Sequence, residues 1–153
     1  MYVIRRADYT DASAIQNLAY PEYFSKSAFN GLTYSHENAL GMIKLWLSEN
    51  HTLIAVDEET GEFAGVSVLV AGRTYYEEVE GDIEFFFVSD KFKGASRPLA
   101  SESIRILKET YGAKVVYAAS KSGINQKNDS LWSNLWSKFG FNRLGTVMIR
   151  QAA

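Results

Sequence analysis

The sequence contains no cysteine. That absence excludes a disulfide framework, a thiolate zinc site, an iron–sulfur cluster and a cysteine nucleophile, and it agrees with a reducing compartment. Histidine occurs only at His36 and His51, too far apart for a local H-E-x-x-H motif, so no metal is expected. Proline occurs only at Pro21 and Pro98. Basic residues are not in excess: 16 Lys and Arg stand against 18 Asp and Glu, a net charge of −2. A protein that grips a phosphate backbone needs a basic stripe, so no nucleic-acid partner is expected. The longest nearly apolar run, Phe63–Gly72, is about half of what a bilayer span requires. The opening MYVIRRAD has no apolar signal region. No membrane partner is expected, and the expected location is cytoplasmic. There is also no G-x-S-x-G elbow, no Walker loop and no G-x-G-x-x-G.

What is present is an ordinary globular composition, 46% hydrophobic and 22% charged over 153 residues. It fits a single domain over 1–153. Strands and helices alternate along it. Met1–Arg6 reads as a strand. Thr10 or Asp11 caps a helix that Pro21 ends, and an aromatic loop follows over 22–35. Ser35 and Asn38 open a second helix whose apolar stripe is Ala39, Met42, Ile43, Trp46 and Leu47. His51–Asp57 and Phe63–Ala71 form a hairpin around Glu-Thr-Gly. Gly81–Val88 is a strongly apolar strand, Lys91–Arg97 a loop, and Pro98 starts a helix to about Tyr111 with Ala100, Ile104, Leu107 and Tyr111 buried. Gly112 caps it. Lys114–Ser120 is a strand, Asn128 or Asp129 caps a helix that Gly140 closes, and Thr146–Arg150 is a last strand. A hairpin region followed by β-α-β implies an α/β fold with a mixed sheet and helices on both faces.

The chemistry concentrates at 82–111. An apolar strand breaks there into Lys93, Gly94, Ala95, Ser96, Arg97 and Pro98 at a helix start. Backbone N–H groups and the helix dipole at such a place make an anion site, and Lys93 and Arg97 add positive charge. An ordinary β-α turn with flanking cations is the alternative. Asp82 and Glu84 lie two apart in a strand and so project to one face. As neighbouring carboxylates they can raise one another's pKa toward that of a general base, or they can be solvated edge residues. Glu77, Glu78 and Glu80 form an acidic run beside Tyr75 and Tyr76, which either attracts a cation or is a solvated turn.

Three landmarks resemble the GNAT N-acetyltransferase superfamily, including short members of the kind that bacteriophages carry, which would work in a host cytoplasm. They are Tyr2–Asp11, with Arg5 and Asp11; Phe86–Gly94; and Leu135-Trp136-Ser137-Lys138-Phe139-Gly140-Phe141, similar to that family's "L-Y-x-K-x-G-F". The resemblance spans nearly the whole chain. It implies a mixed, mostly antiparallel sheet of six to seven strands whose fourth and fifth strands splay to admit acetyl-coenzyme A. Phe86, Phe87 and Val88 would line the pantetheine arm. Lys93–Pro98 would hold the pyrophosphate, with Ser96 and Pro98 where the family has glycines. Asn125 or Asn128 would bond the pantetheine. The resemblance implies acetyl transfer to a primary amine, on a small molecule or a protein lysine. Asp82 would be the base, Glu84 its neighbour, and Tyr117 a stand-in for the tyrosine acid that Trp136 replaces. Tyr23, Phe24, Phe29 and Tyr75 would line the acceptor side, and a homodimer would be in keeping. Ser96, Pro98 and Trp136 also suggest an alternative, a degenerate GNAT fold that binds or inhibits a protein partner.

Overall fold

The computed structural model describes residues 1–24, 33–118 and 129–144. Among them five strands form one mixed sheet in sequence order, β1 (Tyr2–Arg6), β2 (His51–Asp57), β3 (Phe63–Gly72), β4 (Glu80–Val88) and β5 (Val115–Ala118). Each of the first four is antiparallel to its neighbours among them, and β5 runs parallel to β4 over Glu80–Ile83. The helices are α1 (Ala12–Ala19), α2 (His36–Glu49), α3 (Ser96–Arg105) and α4 (Asp129–Ser137). The strand expected at 146–150 lies outside the described residues. No described helix is long and apolar enough to cross a membrane.

Two apolar clusters cover the two faces of the sheet. One gathers Ile15 of α1 and Ile43 of α2 over Ile54, Val66, Val68 and Phe85. The other gathers Leu99 and Ala100 of α3, Leu107 and Trp136 over Leu53, Leu69, Ile83 and Phe86. A strand buried on both faces must be apolar throughout, which explains Phe85-Phe86-Phe87-Val88 in β4. The carboxyl end of β4 passes very close to β3. A Cβ at Gly65 would stand 2.8 Å from the Phe87 carbonyl oxygen and 3.1 Å from Leu99, so that crossing requires glycine.

Local chemistry sets the helix starts. Ser35 caps α2 by accepting the Asn38 N–H at 3.2 Å. Asp8 caps a 3-10 turn over Tyr9–Asp11 that leads into α1. Asp11 is buried there and takes both Arg5 guanidinium nitrogens at 2.9 Å, pinning β1 to the helix start. That bidentate pair, with the Asp8 N–H, holds the Asp11 carboxyl below its ordinary pKa.

Several expectations change. Pro21 does not end the first helix: the chain continues through a π-helical turn, Tyr20–Phe24. A widened turn relieves the clash between a proline ring and the preceding turn. Met42 is 51% exposed, and Leu40 joins the packed face of α2 in its place. Lys91–Arg97 is not an open loop but a kinked 3-10 segment, Asp90–Ala95, running into α3. Pro98 is the third residue of α3, where its missing N–H still costs nothing because first-turn donors lack intrahelical acceptors. Leu99 and Ser103 are buried in α3 beside Ala100, and Tyr111 lies outside the core at 38% exposure.

Candidate active site

The candidate residues lie along β4. At its amino end Asp82 sits between Val70 of β3 and Tyr117 of β5. The register of β3 then slips: Leu69 faces Ile83 while Val68 faces Phe85, so Glu84 is an extra, bulged residue. The bulge interrupts the alternation that would have put Asp82 and Glu84 on one face. Asp82 is half-buried and Glu84 exposed.

Beside Asp82 lies an open groove of about 530 Å³ lined by Tyr76, Glu78, Val79, Glu80, Lys114 and Tyr117, among others. Glu80 is held at both oxygens, by the Tyr117 hydroxyl at 3.2 Å and by the Thr74 hydroxyl. Donating to a carboxylate stabilises the protonated phenol, and the charges of Glu80 and Asp82 act in the same direction. The Tyr117 pKa is raised accordingly, so Tyr117 carries its proton at neutral pH. Tyr75, 94% exposed, does not line the groove; Tyr76 does. The loop between β3 and β4 is closed by Arg73 Nε donating to the Glu77 carbonyl at 2.7 Å.

At the carboxyl end, Phe86 is buried while Phe87 and Val88 are half-buried. Ala95 is fully buried, backbone included, and belongs to the core, so the contact with a ligand expected of it is not open in this structure. A Cβ on Gly94 would meet the Tyr2 ring at 3.3 Å. Lys93 and Arg97 are both exposed, four residues apart across the start of α3, and neither is in an ion pair among the described residues. Lys91 is paired with Glu62 at 2.6 Å. Ser96 donates its N–H to the Lys93 carbonyl, which leaves its hydroxyl as the group that can face outward.

Tyr23 packs edge-on against Phe85 at 5.1 Å and Phe87 at 6.2 Å, on the α1–α2 face. Burial pushes its phenol up from the ordinary value. Trp136 is buried, edge-on to Phe86 at 5.1 Å and to Phe141 at 5.2 Å, so it serves the core. Phe29, Asn125 and Asn128 lie outside the described residues, as does the side chain of Phe24. Two residues that sequence reasoning passed over complete the picture. Glu22 and Ser89 are bonded to each other at 2.7 Å at the end of β4. Ser89 could have been found as a cap, a serine followed by aspartate after a strand. Glu22 carries no local signal, because its partners are 67 and 68 residues away. Among the described residues no group of three or more His, Asp or Glu is gathered as a metal site.

No protein-family model matches the sequence, and no curated protein does. Solved structures do match. An integron cassette protein from the mobile metagenome of Cole Harbour Salt Marsh is 19% identical at TM-score 0.70, covering 97% of this chain and 89% of that one. The aminoglycoside N-acetyltransferase AAC(6')-Iy, in complex with CoA, is 14% identical at TM-score 0.73, covering 99% and 95%. Glucosamine-6-phosphate N-acetyltransferase from Arabidopsis thaliana is 14% identical at TM-score 0.62, covering 99% and 98%. Carried across nearly the full length of each, these likenesses show that the chain has the GNAT acetyltransferase fold.

Proposed function

We propose that this chain is an acetyl-coenzyme A-dependent N-acetyltransferase whose acceptor is a primary amine, on a small molecule or a protein lysine. The observation that carries the reading is the division of charge along β4. Asp82 and Glu80 stand at its amino end, and Lys93 and Arg97, in no ion pair among the described residues, follow its carboxyl end. The donor set suits a coenzyme A pyrophosphate: two cations, the Ser96 hydroxyl and the amino terminus of α3 face a dianion. Pro98 removes one backbone donor, which places more of the work on charge. Bound there, acetyl-coenzyme A supplies an acetyl thioester.

The chain's own residues do the rest. Asp82 takes a proton from the acceptor ammonium, so that the amine reacts in its neutral form. Glu84, turned off the Asp82 face by the bulge, acts through its backbone and not as a partner of that base. The bulge removes Glu84 from the β3 ladder, which leaves backbone N–H capacity at this point for the acyl oxygen. Tyr117, in register with Asp82, would protonate the departing thiolate only by giving up its bond to Glu80. The groove's carboxylates favour a cationic acceptor over a neutral one, and Tyr23 props the opposite side. On the same reading the sheet continues to six or seven strands with β4 and β5 splayed, and the protein works in the cytoplasm.

Trp136 favours a second reading. Its indole lies in the core where the resembling signature has a tyrosine, so the position supplies no acid. A fold retained as a binding module for a protein partner would have this feature.

Thermal unfolding with coenzyme A tests the proposal, with ATP as control. At a hundredfold excess over Kd the ligand adds about 2.7 kcal/mol, or about 5–10 °C for a chain of this size. A shift with coenzyme A and acetyl-coenzyme A but not with ATP is expected. No shift with either coenzyme form overturns the reading.

A further inference from the structure

We propose that Glu22 is a positioning residue for the turn that leaves β4: it orients Ser89 and Asp90, and through them the segment Lys93–Pro98. The role rests on the coenzyme reading above, but part of its test does not.

Each Glu22 oxygen takes one donor. The Ser89 hydroxyl donates to Oε1 at 2.7 Å, and the Asp90 N–H donates to Oε2 at 2.8 Å. Hydrogen bonds to a carboxylate are roughly twice as strong as neutral ones. Ser89 and Asp90 are the first two residues after β4. Ser89 is 6% exposed, and its other polar groups are already used. Its N–H donates to the Ala64 carbonyl at 2.9 Å, and its carbonyl accepts the Phe92 N–H at 2.9 Å. Its Oγ accepts the Lys91 N–H at 3.3 Å. A serine hydroxyl has one proton, and Glu22 is where it goes. Removing the carboxylate takes the acceptor from that buried proton and from the Asp90 N–H together. The hydroxyl is then free to rotate away from the Lys91 N–H, and the 3-10 segment loses its cap.

The same short turn is fastened to β4 a second time, by Tyr23 against Phe85 and Phe87. Residues 20–24 therefore grip β4 through an apolar contact on one face and two hydrogen bonds to a carboxylate at its end. A ligand that fixes the turn after β4 also fixes the turn after α1, and by linkage the reverse holds.

Four variants, Glu22→Ala, Glu22→Gln, Ser89→Ala and the Glu22→Ala, Ser89→Ala double, are measured for amide hydrogen exchange without ligand and for coenzyme A affinity by calorimetry. Glu22→Ala is expected to speed exchange of the Asp90 and Lys91 amides and to weaken coenzyme A about tenfold. Glu22→Gln keeps an oxygen for the Asp90 N–H and is expected to recover part of that affinity. Glu22→Ala made in the Ser89→Ala background is expected to cost less than it does alone, because the two act as one unit. Unchanged exchange in Glu22→Ala overturns the proposal. Faster exchange with unchanged affinity also overturns it, since Glu22 is then only a staple of the fold. A wild-type protein that fails to bind coenzyme A overturns the coenzyme reading and this role with it. A wild type that binds, beside a Glu22→Ala variant that binds equally well, overturns the role of Glu22 alone.

Discussion

At its amino end β4 is hydrogen-bonded on both sides, to β3 and, over Glu80–Ile83, to β5; beyond Ile83 its described pairing is to β3 alone. The amino end brings Glu78 and Glu80 to a groove that contains one lysine, Lys114, with Asp82 in register with the groove residue Tyr117. The carboxyl end is followed by Asp90, Lys91, Lys93 and Arg97, with Lys91 neutralised by Glu62 and the Glu22 carboxylate seated on Ser89 and Asp90. The amino end thus gathers carboxylates, while beyond the carboxyl end two exposed cations stand outside any ion pair among the described residues, the strand between them being about nine residues or roughly 30 Å long when extended. A bulge at Glu84 stands between them. An anionic ligand and a cationic ligand can then approach the same strand without sharing a charged surface. Which end does which work is open to direct test.

The largest effect should come from beneath the amino end. Leu107 is fully buried, and a Cβ on Gly81 would touch it at 3.1 Å. Leu107→Asp puts an unpaired charge there, at a cost comparable to the roughly 5–15 kcal/mol that a whole domain has to spare. Loss of cooperative melting is expected. Retained melting would remove Leu107 from the core and the support from under Asp82.

Folded variants separate the two ends. Asp82→Asn should lower turnover about 10²–10⁴-fold, the range for removing a general base, with coenzyme A affinity unchanged. The double variant Lys93→Ala, Arg97→Ala should do the reverse. Losing charge-assisted contacts to a phosphate costs about 1.5–3 kcal/mol, so coenzyme A should bind roughly 10–100-fold more weakly, with little change in the saturated rate. Calorimetry and steady-state kinetics on the same preparations decide it. If Asp82→Asn weakens the coenzyme, or the cation pair lowers only the saturated rate, the division of labour along β4 is wrong.

Much of this was legible in the sequence, for reasons that differ by region. β2 reads correctly at both bounds because a run of β-formers ends at an acidic, glycine-closed turn, and Gly61 does take a positive φ of 72° there. The Ser35 cap is local chemistry and reads equally well. The segment Lys93–Pro98 stands out locally for two cations at a helix start, which leaves both an anion site and an ordinary β-α turn open, and only the resemblance assigns it a pyrophosphate. Three features were hidden for a common reason, that each depends on a distant segment. The bulge at Glu84 is a matter of register against β3. The exposure of Met42 depends on which stripe of α2 meets the sheet. Glu22 makes sense only once a segment 67 residues downstream is beside it.

The smallest predicted effect concerns a group at neither end, and it matters because it could be mistaken for one of them. His51 begins β2, with Nδ1 3.0 Å from the Tyr111 hydroxyl. Burial, together with the charge of Arg6, lowers its pKa from the ordinary value, and Glu102 opposes only part of that shift. The folded protein therefore favours the neutral ring, whose Nδ1 can accept the Tyr111 proton. A depressed folded pKa means that the unfolded chain binds the extra proton first. The contribution is fully present above the unfolded value of about 6.5 and is lost as pH falls through the folded value. Stability measured by denaturant should be level above about pH 7 and decline gently below it. His51→Asn keeps an acceptor near Nδ1 but cannot titrate, so its profile should be flatter over that window. An activity profile that falls below pH 7 in both proteins can then be assigned to the reaction and not to the fold. If the fall vanishes in His51→Asn, it reports the fold, and the base at the amino end of β4 must be sought by other means.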